Sequence, residues 1–269
     1  MYITLDSLVT QCGLENSPTA EVITFLDRVC EDRLEPFIDK CYERLSGYVN
    51  AFEQKMKMKR EAIANKGIWT AKKRYILNVW NNEGVSYAEP KLKMMGIEAV
   101  RSSTPQACRN NIKKAIAVIM NEDEDAIIKF IENFRLEFAK LPFEDVAFPR
   151  GCKGLIEYAD PNTIYRKATP IQVRGALVYN HLLKKMKLDQ RYQLIQEGDK
   201  IKFCYMKQPN PVRENVFACP STLPKQLDLD QYIDYDTQYN KSFVEPIKTI
   251  LDAIGWRVEK KASLEDFFL

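Results

Sequence analysis

Trp69-Thr70-Ala71-Lys72-Lys73-Arg74-Tyr75 is the first of three strings that together determine how this chain folds. Glu89-Pro90-Lys91-Leu92-Lys93-Met94-Met95-Gly96-Ile97-Glu98 and then Arg101-Ser102-Ser103-Thr104-Pro105 complete the set. Three consecutive cations run into an aromatic at the mouth of an alternating segment. From Lys72 to Trp80, Tyr75, Leu77 and Val79 share one face and Lys72, Arg74, Ile76, Asn78 and Trp80 the other, which is the period of a β-strand. By that parity Lys73 and Tyr75 point the same way. Asn81-Asn82-Glu83-Gly84 is a turn signal, so Val85 to Ala88 should return as a hairpin. Cations on a rigid element can track a phosphate backbone while a neighbouring aromatic probes bases or sugars.

On the N-terminal side, residues 1–6 alternate like a short strand, with Asp6 or Ser7 placed to cap the next element. From Thr19 to about Val49 the pattern is helical: Val22, Ile23, Leu26, Val29, Cys30, Phe37, Ile38, Cys41, Leu45 and Tyr48 recur at three- and four-residue spacing, and Pro36 should divide or kink this segment. Phe52 to Ala64 alternates loosely, with Lys55, Lys57 and Lys59 on one side. On the C-terminal side, Thr104-Pro105 marks a helix start. Helices are expected over 105–120 and 123–140, the second favoured by the acidic residues at 122–125. Residues 141–169, rich in Pro and Gly, read as irregular loop. A helix from Ile171 to Lys187, strands at Lys200–Lys207 and Val216–Cys219, and a helical region from Leu227 to Ile254 complete the chain. The shift from strand-rich to helix-rich composition near Gly96–Ser103 marks a domain boundary.

The 269 residues suit one large domain or two modest ones. A formal net charge of only +3 excludes a wholesale polycation, so any nucleic-acid role rests on where the charges sit. Seven cysteines without CxxC spacing and a single histidine, His181, make a zinc site very unfavourable and fit buried thiols in a reducing cytosol. There is no signal peptide and no apolar run long enough for a bilayer, so no membrane association is expected.

The three strings, in this order and spacing, resemble the palm-to-thumb passage of family B DNA polymerases, in particular the replicative enzymes of T-even-type bacteriophages. Taken alone, a KKRY string also suits a solvated strand edge. In the family it contacts the primer–template duplex, which the resemblance carries onto Lys72, Lys73, Arg74 and Tyr75, with Lys91, Lys93, Arg101 and Ser102 as backbone contacts. Ile171 to Asn180 resembles the family's thumb helix, xxxRGxxxYN, and adds Arg174 to the DNA-binding set. Lys184, Lys185 and Lys187 could line the same phosphate-facing surface, and a basic amphipathic helix on a solvated face is the other reading. Lys59-Arg60-Glu61-Ala62-Ile63-Ala64 resembles a segment reading DREAIA, whose glutamate lies near the catalytic metals. Glu61 takes that place, while Lys59 replaces the aspartate; a glutamate paired with nearby lysines is the competing reading. The tail Lys260 to Leu269 resembles the clamp-binding peptide of these polymerases, with Leu264, Phe267 and Phe268 as its apolar anchor and Glu265 where the family often has an aromatic.

The opening Met1-Tyr2-Ile3-Thr4-Leu5-Asp6 resembles the strand just after the family's YGDTDS motif, so the metal-binding aspartates are expected on another chain. Asp228-Leu229-Asp230 and Asp234-Tyr235-Asp236 do not replace them: they fall in predicted helix, where residues two apart point about 200° apart. The Glu122–Asp125 cluster is helix-start charge. The implied fold class is α+β: a partial palm with an antiparallel sheet and helices (1–96), a mainly helical thumb with a small β element (97–257) and a clamp-binding tail (258–269). The implied function is the C-terminal part of a split DNA polymerase in the cytoplasm of an infected bacterium. Its partners would be an N-terminal polymerase chain, primer–template DNA and a sliding clamp. Mg2+ would be held mainly by the partner chain, with no metal site and no catalytic residue here beyond a nearby Glu61. The alternative is a non-catalytic DNA- and clamp-binding accessory protein; an RNA-binding module lacks the stacked aromatics such proteins use.

Overall fold

A computed structural model of the chain describes residues 2–260. Leu264, Phe267 and Phe268 lie outside the described residues. Elements belong to two units: the chain up to Ile68 with Ile76–Lys93, and Trp69–Tyr75 with the chain from Met94 onward.

In the first unit, helix α1 (Asp6–Gln11) and helix α2 (Thr19–Val29) precede a π-helical turn at Cys30–Leu34 and helix α3 (Glu35–Tyr48). Residues 2–4 form no strand, contrary to the alternation. The Leu5 carbonyl instead accepts the Leu8 and Val9 amides (3.1 and 3.0 Å) that start α1. Pro36 sits in the first turn of α3, just after the π turn. A proline lacks the amide for a regular i→i−4 bond and its ring clashes with that carbonyl; a widened turn absorbs both defects.

Strands β1 (Ala62–Ala71), β2 (Arg74–Asn82) and β3 (Val85–Met95) make a three-stranded sheet in that order. The β2–β3 hairpin closes through Glu83 (φ 51°) and Gly84 (φ 86°), both left-handed as a type I′ turn requires. Two expectations fail here. Residues 52–61 are not strand, and β1 reaches back only to Ala62; the exposed Asn65-Lys66-Gly67 within it hid the alternation. Lys72 and Lys73 are not strand either, but form the turn between β1 and β2, so the parity argument placing Lys73 beside Tyr75 does not apply. In this unit Ile23, Leu26 and Ile63 form one buried cluster, flanked by Leu5, Leu8, Val9, Val22, Phe25 and Trp80, and Ile76 and Val79 of β2 are also buried.

The second unit carries helices α4 (Gln106–Asn121) and α5 (Glu124–Phe138). Asp123 caps α5 by accepting the Ala126 amide at 2.9 Å, as the acidic run led one to expect. Thr104 makes no such cap for α4; Pro105 occupies the cap position. The expected loop 141–169 is in fact structured. It contains one-turn helix α6 (Phe143–Val146), strand β4 (Phe148–Gly151), one-turn helix α7 (Leu155–Tyr158) and a hairpin of β5 (Ala159–Asp160) and β6 (Ile164–Tyr165). Elements of two to four residues are too short to show a period, yet Phe143, Val146, Phe148 and Cys152 are buried.

Helix α8 (Ile171–Lys185) lies on a sheet of order β4-β7-β8, with β7 at Lys200–Tyr205 and β8 at Val216–Cys219. Its approach to β8 depends on Gly175, where an added Cβ would stand 3.0 Å from both the Cβ and the amide nitrogen of Ala218. The C-terminal region is less helical than expected at first. Two 3-10 turns (Lys225–Leu227, Asp230–Tyr232) precede α9 (Tyr235–Tyr239), a π turn at Asn240–Val244 and α10 (Glu245–Asp252). Asp234 is the cap of α9, accepting from the Thr237 amide at 3.0 Å, so the second Asp-x-Asp string is a helix start and not helix interior. Phe134, Phe138, Tyr239 and Phe243 pack at 4.7–5.8 Å between ring centres, with interplanar angles from 31° to 79°.

Candidate nucleic-acid interface

The basic turn of the second unit is built from both ends. Lys72 and Lys73 are exposed and Tyr75 half-buried. Lys73 takes the left-handed backbone (φ 62°), a region that costs a side-chain-bearing residue about 1–2 kcal/mol and persists where the surroundings hold it. Gly96 supplies one constraint. Its own φ is 66°, and an added Cβ would stand 2.5 Å from the Lys73 carbonyl oxygen and 3.0 Å from Arg74 Cγ. Glu98 supplies the other, accepting two parallel bonds from the Arg74 guanidinium at 3.0 and 2.8 Å. Arg101 lies 3.5 Å from the same carboxylate. Ser102 beside it is exposed.

Arg74, Glu98 and Arg101 line a cleft of about 340 Å³ together with Arg150, Lys241 and Glu245. Arg150 donates to the Ser103 carbonyl at 3.2 Å, and Lys241 pairs loosely with Glu245 at 3.5 Å. Arg150 and Lys241 were not singled out from sequence, because each is a lone cation in its own segment and only the fold brings it to Arg101. Gly96 and Glu98 were visible inside the EPKLKMMGIE string, but its cations drew the reading.

On α8 the RGxxxYN string resolves into separate tasks. Gly175 admits the sheet, and Tyr179 is buried with its phenol donating to the Gln193 carbonyl at 3.2 Å. Asn180 both donates to and accepts from the backbone of Ile195 (2.8 and 2.9 Å). The Arg174 guanidinium donates to Asn215 and lies 3.9 Å from Glu214, over the Tyr165 ring. Burial, with the Glu214 carboxylate 2.6 Å away, pushes the Tyr165 phenol above its ordinary range. Arg174 is therefore held within the unit on one side, while Lys184, Lys185 and Lys187 are exposed.

Within the first unit, Lys91 lies over the Tyr87 ring at 4.0 Å, and Lys93 donates to Glu61 at 2.6 Å and to Asn82 at 3.0 Å. The Glu61 carboxylate is thus engaged by a lysine. A two-metal centre needs carboxylates converging on ions roughly 3.5–4 Å apart, and among the described residues no three His, Cys, Asp or Glu side chains gather as a metal would require. The donor set of the described residues does not fit a catalytic metal pair. Among them, too, no helix is long and apolar enough to cross a membrane.

Comparison with known proteins adds a lineage to this geometry. The chain is 32% identical to the DNA-directed DNA polymerase of Enterobacteria phage T4 and 34% identical to that of Escherichia phage RB69, in both cases over its whole length. It spans 31% of the length of each relative. The profile of DNA polymerase family B matches residues 37–254. With that match covering most of the sequence, the chain belongs to DNA polymerase family B.

Proposed function

We propose that this chain is the duplex-gripping part of a family B DNA polymerase, acting with a partner polymerase segment that supplies the catalytic aspartates. The observation that carries the proposal is similarity along its entire length to phage DNA-directed DNA polymerases of which it spans 31%. Residues 1–96 would be the end of the palm, 97–257 the thumb and 258–269 a clamp-binding tail anchored by Leu264, Phe267 and Phe268. Lys73 and Tyr75 would meet the duplex near the primer terminus, with Lys72, Lys91, Lys93, Arg101, Ser102 and Arg174 toward phosphates. Holding the primer terminus in line removes the entropy of finding that geometry from the transfer step. Mg2+ would be bound mainly by the partner, in keeping with the Lys93-engaged Glu61 here. An exposed apolar stripe on α3, Phe37, Cys41, Leu45 and Tyr48, favours a partner on the first unit.

Primer extension tests this with the chain alone, a complementary N-terminal polymerase chain alone, and both together. Activity arising only in the mixture, and falling at least tenfold when Lys73 and Tyr75 become alanine, is the expected result. Activity from the N-terminal chain alone, unchanged on mixing, would leave this chain as a DNA- or clamp-binding accessory.

A further inference from the structure

We propose that Gly96 and Glu98 are positioning residues that set the Lys72–Lys73 turn for DNA, and that Arg74 is a strut in this device and not a phosphate contact. The inference rests on the duplex-gripping reading above. Three observations converge on it. The turn presents Lys73 in a left-handed conformation that a lysine does not adopt without support (φ 62°). Gly96 packs its bare backbone against the Lys73 carbonyl, so tightly that an added methyl would overlap it at 2.5 Å. Glu98 takes both nitrogens of the Arg74 fork at 2.8–3.0 Å, with both side chains about one-fifth exposed, which leaves the two lysines as the outward cations of the string.

The proposal makes a prediction opposite in sign to simple electrostatics. Glu98 is a negative charge beside a cationic site, so neutralising it should by charge alone strengthen DNA binding. If Glu98 holds the turn, neutralising it weakens binding.

The test is affinity of the full chain for a labelled primer–template duplex, read across a salt series. Glu98→Gln is expected to bind about fivefold more weakly, with the salt slope unchanged because no phosphate contact is lost. Glu98→Asp should recover part of that loss. Arg74→Ala should match Glu98→Gln, and the double variant should be no weaker than either, since both break one strut. Gly96→Ala should weaken binding as well, with the melting temperature followed in parallel; the Glu98 series decides the matter if that variant misfolds. Lys73→Ala, by contrast, should lower the slope by about 0.9, one phosphate contact. Glu98→Gln binding as tightly as wild type or tighter, or Arg74→Ala lowering the salt slope, would overturn the strut while leaving the duplex-gripping reading intact. A wild-type chain that binds no duplex, alone or mixed with the complementary polymerase chain, would overturn both.

Discussion

Asn81 has no exposed surface, yet it is polar and sits at the end of a strand. Its amide nitrogen donates to Asp27 (3.2 Å) and Ser86 (3.0 Å), and its oxygen accepts from Arg60 (2.8 Å) and the Gly84 amide (3.1 Å). Arg60 in turn pairs with Asp27, and its backbone amide donates to Glu35 at 3.0 Å. One side chain thus ties α2, the segment before β1 and the β2–β3 turn. Asn81→Ala would strand parts of a half-buried ion pair, and we expect about 2–3 kcal/mol of destabilisation by urea titration. A loss below about 0.5 kcal/mol would mean that water replaces the network. This role was not legible in sequence, where Asn81 read only as turn chemistry: the sequence displays which groups are polar but not which partners the fold delivers. The same limit explains Arg74 and Glu98. As charges they were plain; as a pair, 24 residues apart, they were not. Cysteines were easier, because their value as buried apolar groups does not depend on a partner. Cys30, Cys108, Cys152, Cys204 and Cys219 are buried, whereas Cys12 and Cys41 are exposed and should be the first to alkylate.

Among the helices and strands, length decided legibility. Helices α4, α5 and α8 span at least four turns each, and their expected limits differ from the observed ones by a few residues. The one-turn pieces between Phe143 and Tyr165 could not be seen. Helix packing was not visible either: Gly175 in RGxxxYN is where α8 touches β8, and Gly175→Ala should cost about 1–3 kcal/mol through overpacking, since Ala218 contributes backbone as well as its methyl at 3.0 Å. A neutral result in a denaturation curve would show that the helix can lift away cheaply. The π turns are the feature of this size that the sequence concealed. Both precede a Glu-Pro pair, Glu35-Pro36 and Glu245-Pro246. Across the second, buried residues come in pairs four apart: Gln238 and Tyr239, Ser242 and Phe243, Pro246 and Ile247, Ile250 and Leu251. A regular helix drifts about 40° over four residues, so the widened turn keeps the pairs on one face. Deleting one residue from 240–244 should turn α10 about 100° out of register and lower the melting temperature far more than deleting one from an exposed turn.

For the molecule as a whole, apolar burial is concentrated in the second unit, and so is a pH liability. Burial pushes the thiols of Cys108 and Cys152 up to about 12 and about 11 from an ordinary 9.0, and the Tyr179 phenol to about 12 from 10.0. Values raised in the folded state mean that the fold prefers the neutral forms. That stability is complete below about pH 9, where the unfolded groups are also neutral, and is lost as pH climbs toward 12. The melting temperature of the second unit should therefore fall steadily over that window; a flat profile would contradict the burial. The family was legible in three strings, because their residues, order and spacing are written locally in the chain, whereas the turn at Lys72–Lys73 read as strand. The division into units was less so, since Trp69–Tyr75 groups with residues from Met94 onward. Helix α3, for its part, buries none of its fourteen residues. A helix of that length with only half-buried side chains, Ile38 and Tyr42 among them, is marginal in water, so its amides should exchange with deuterium far faster than those of α2. Recruiting whatever covers Phe37, Cys41, Leu45 and Tyr48 would then be a folding reaction as much as a docking one, recognisable by a large negative heat-capacity change.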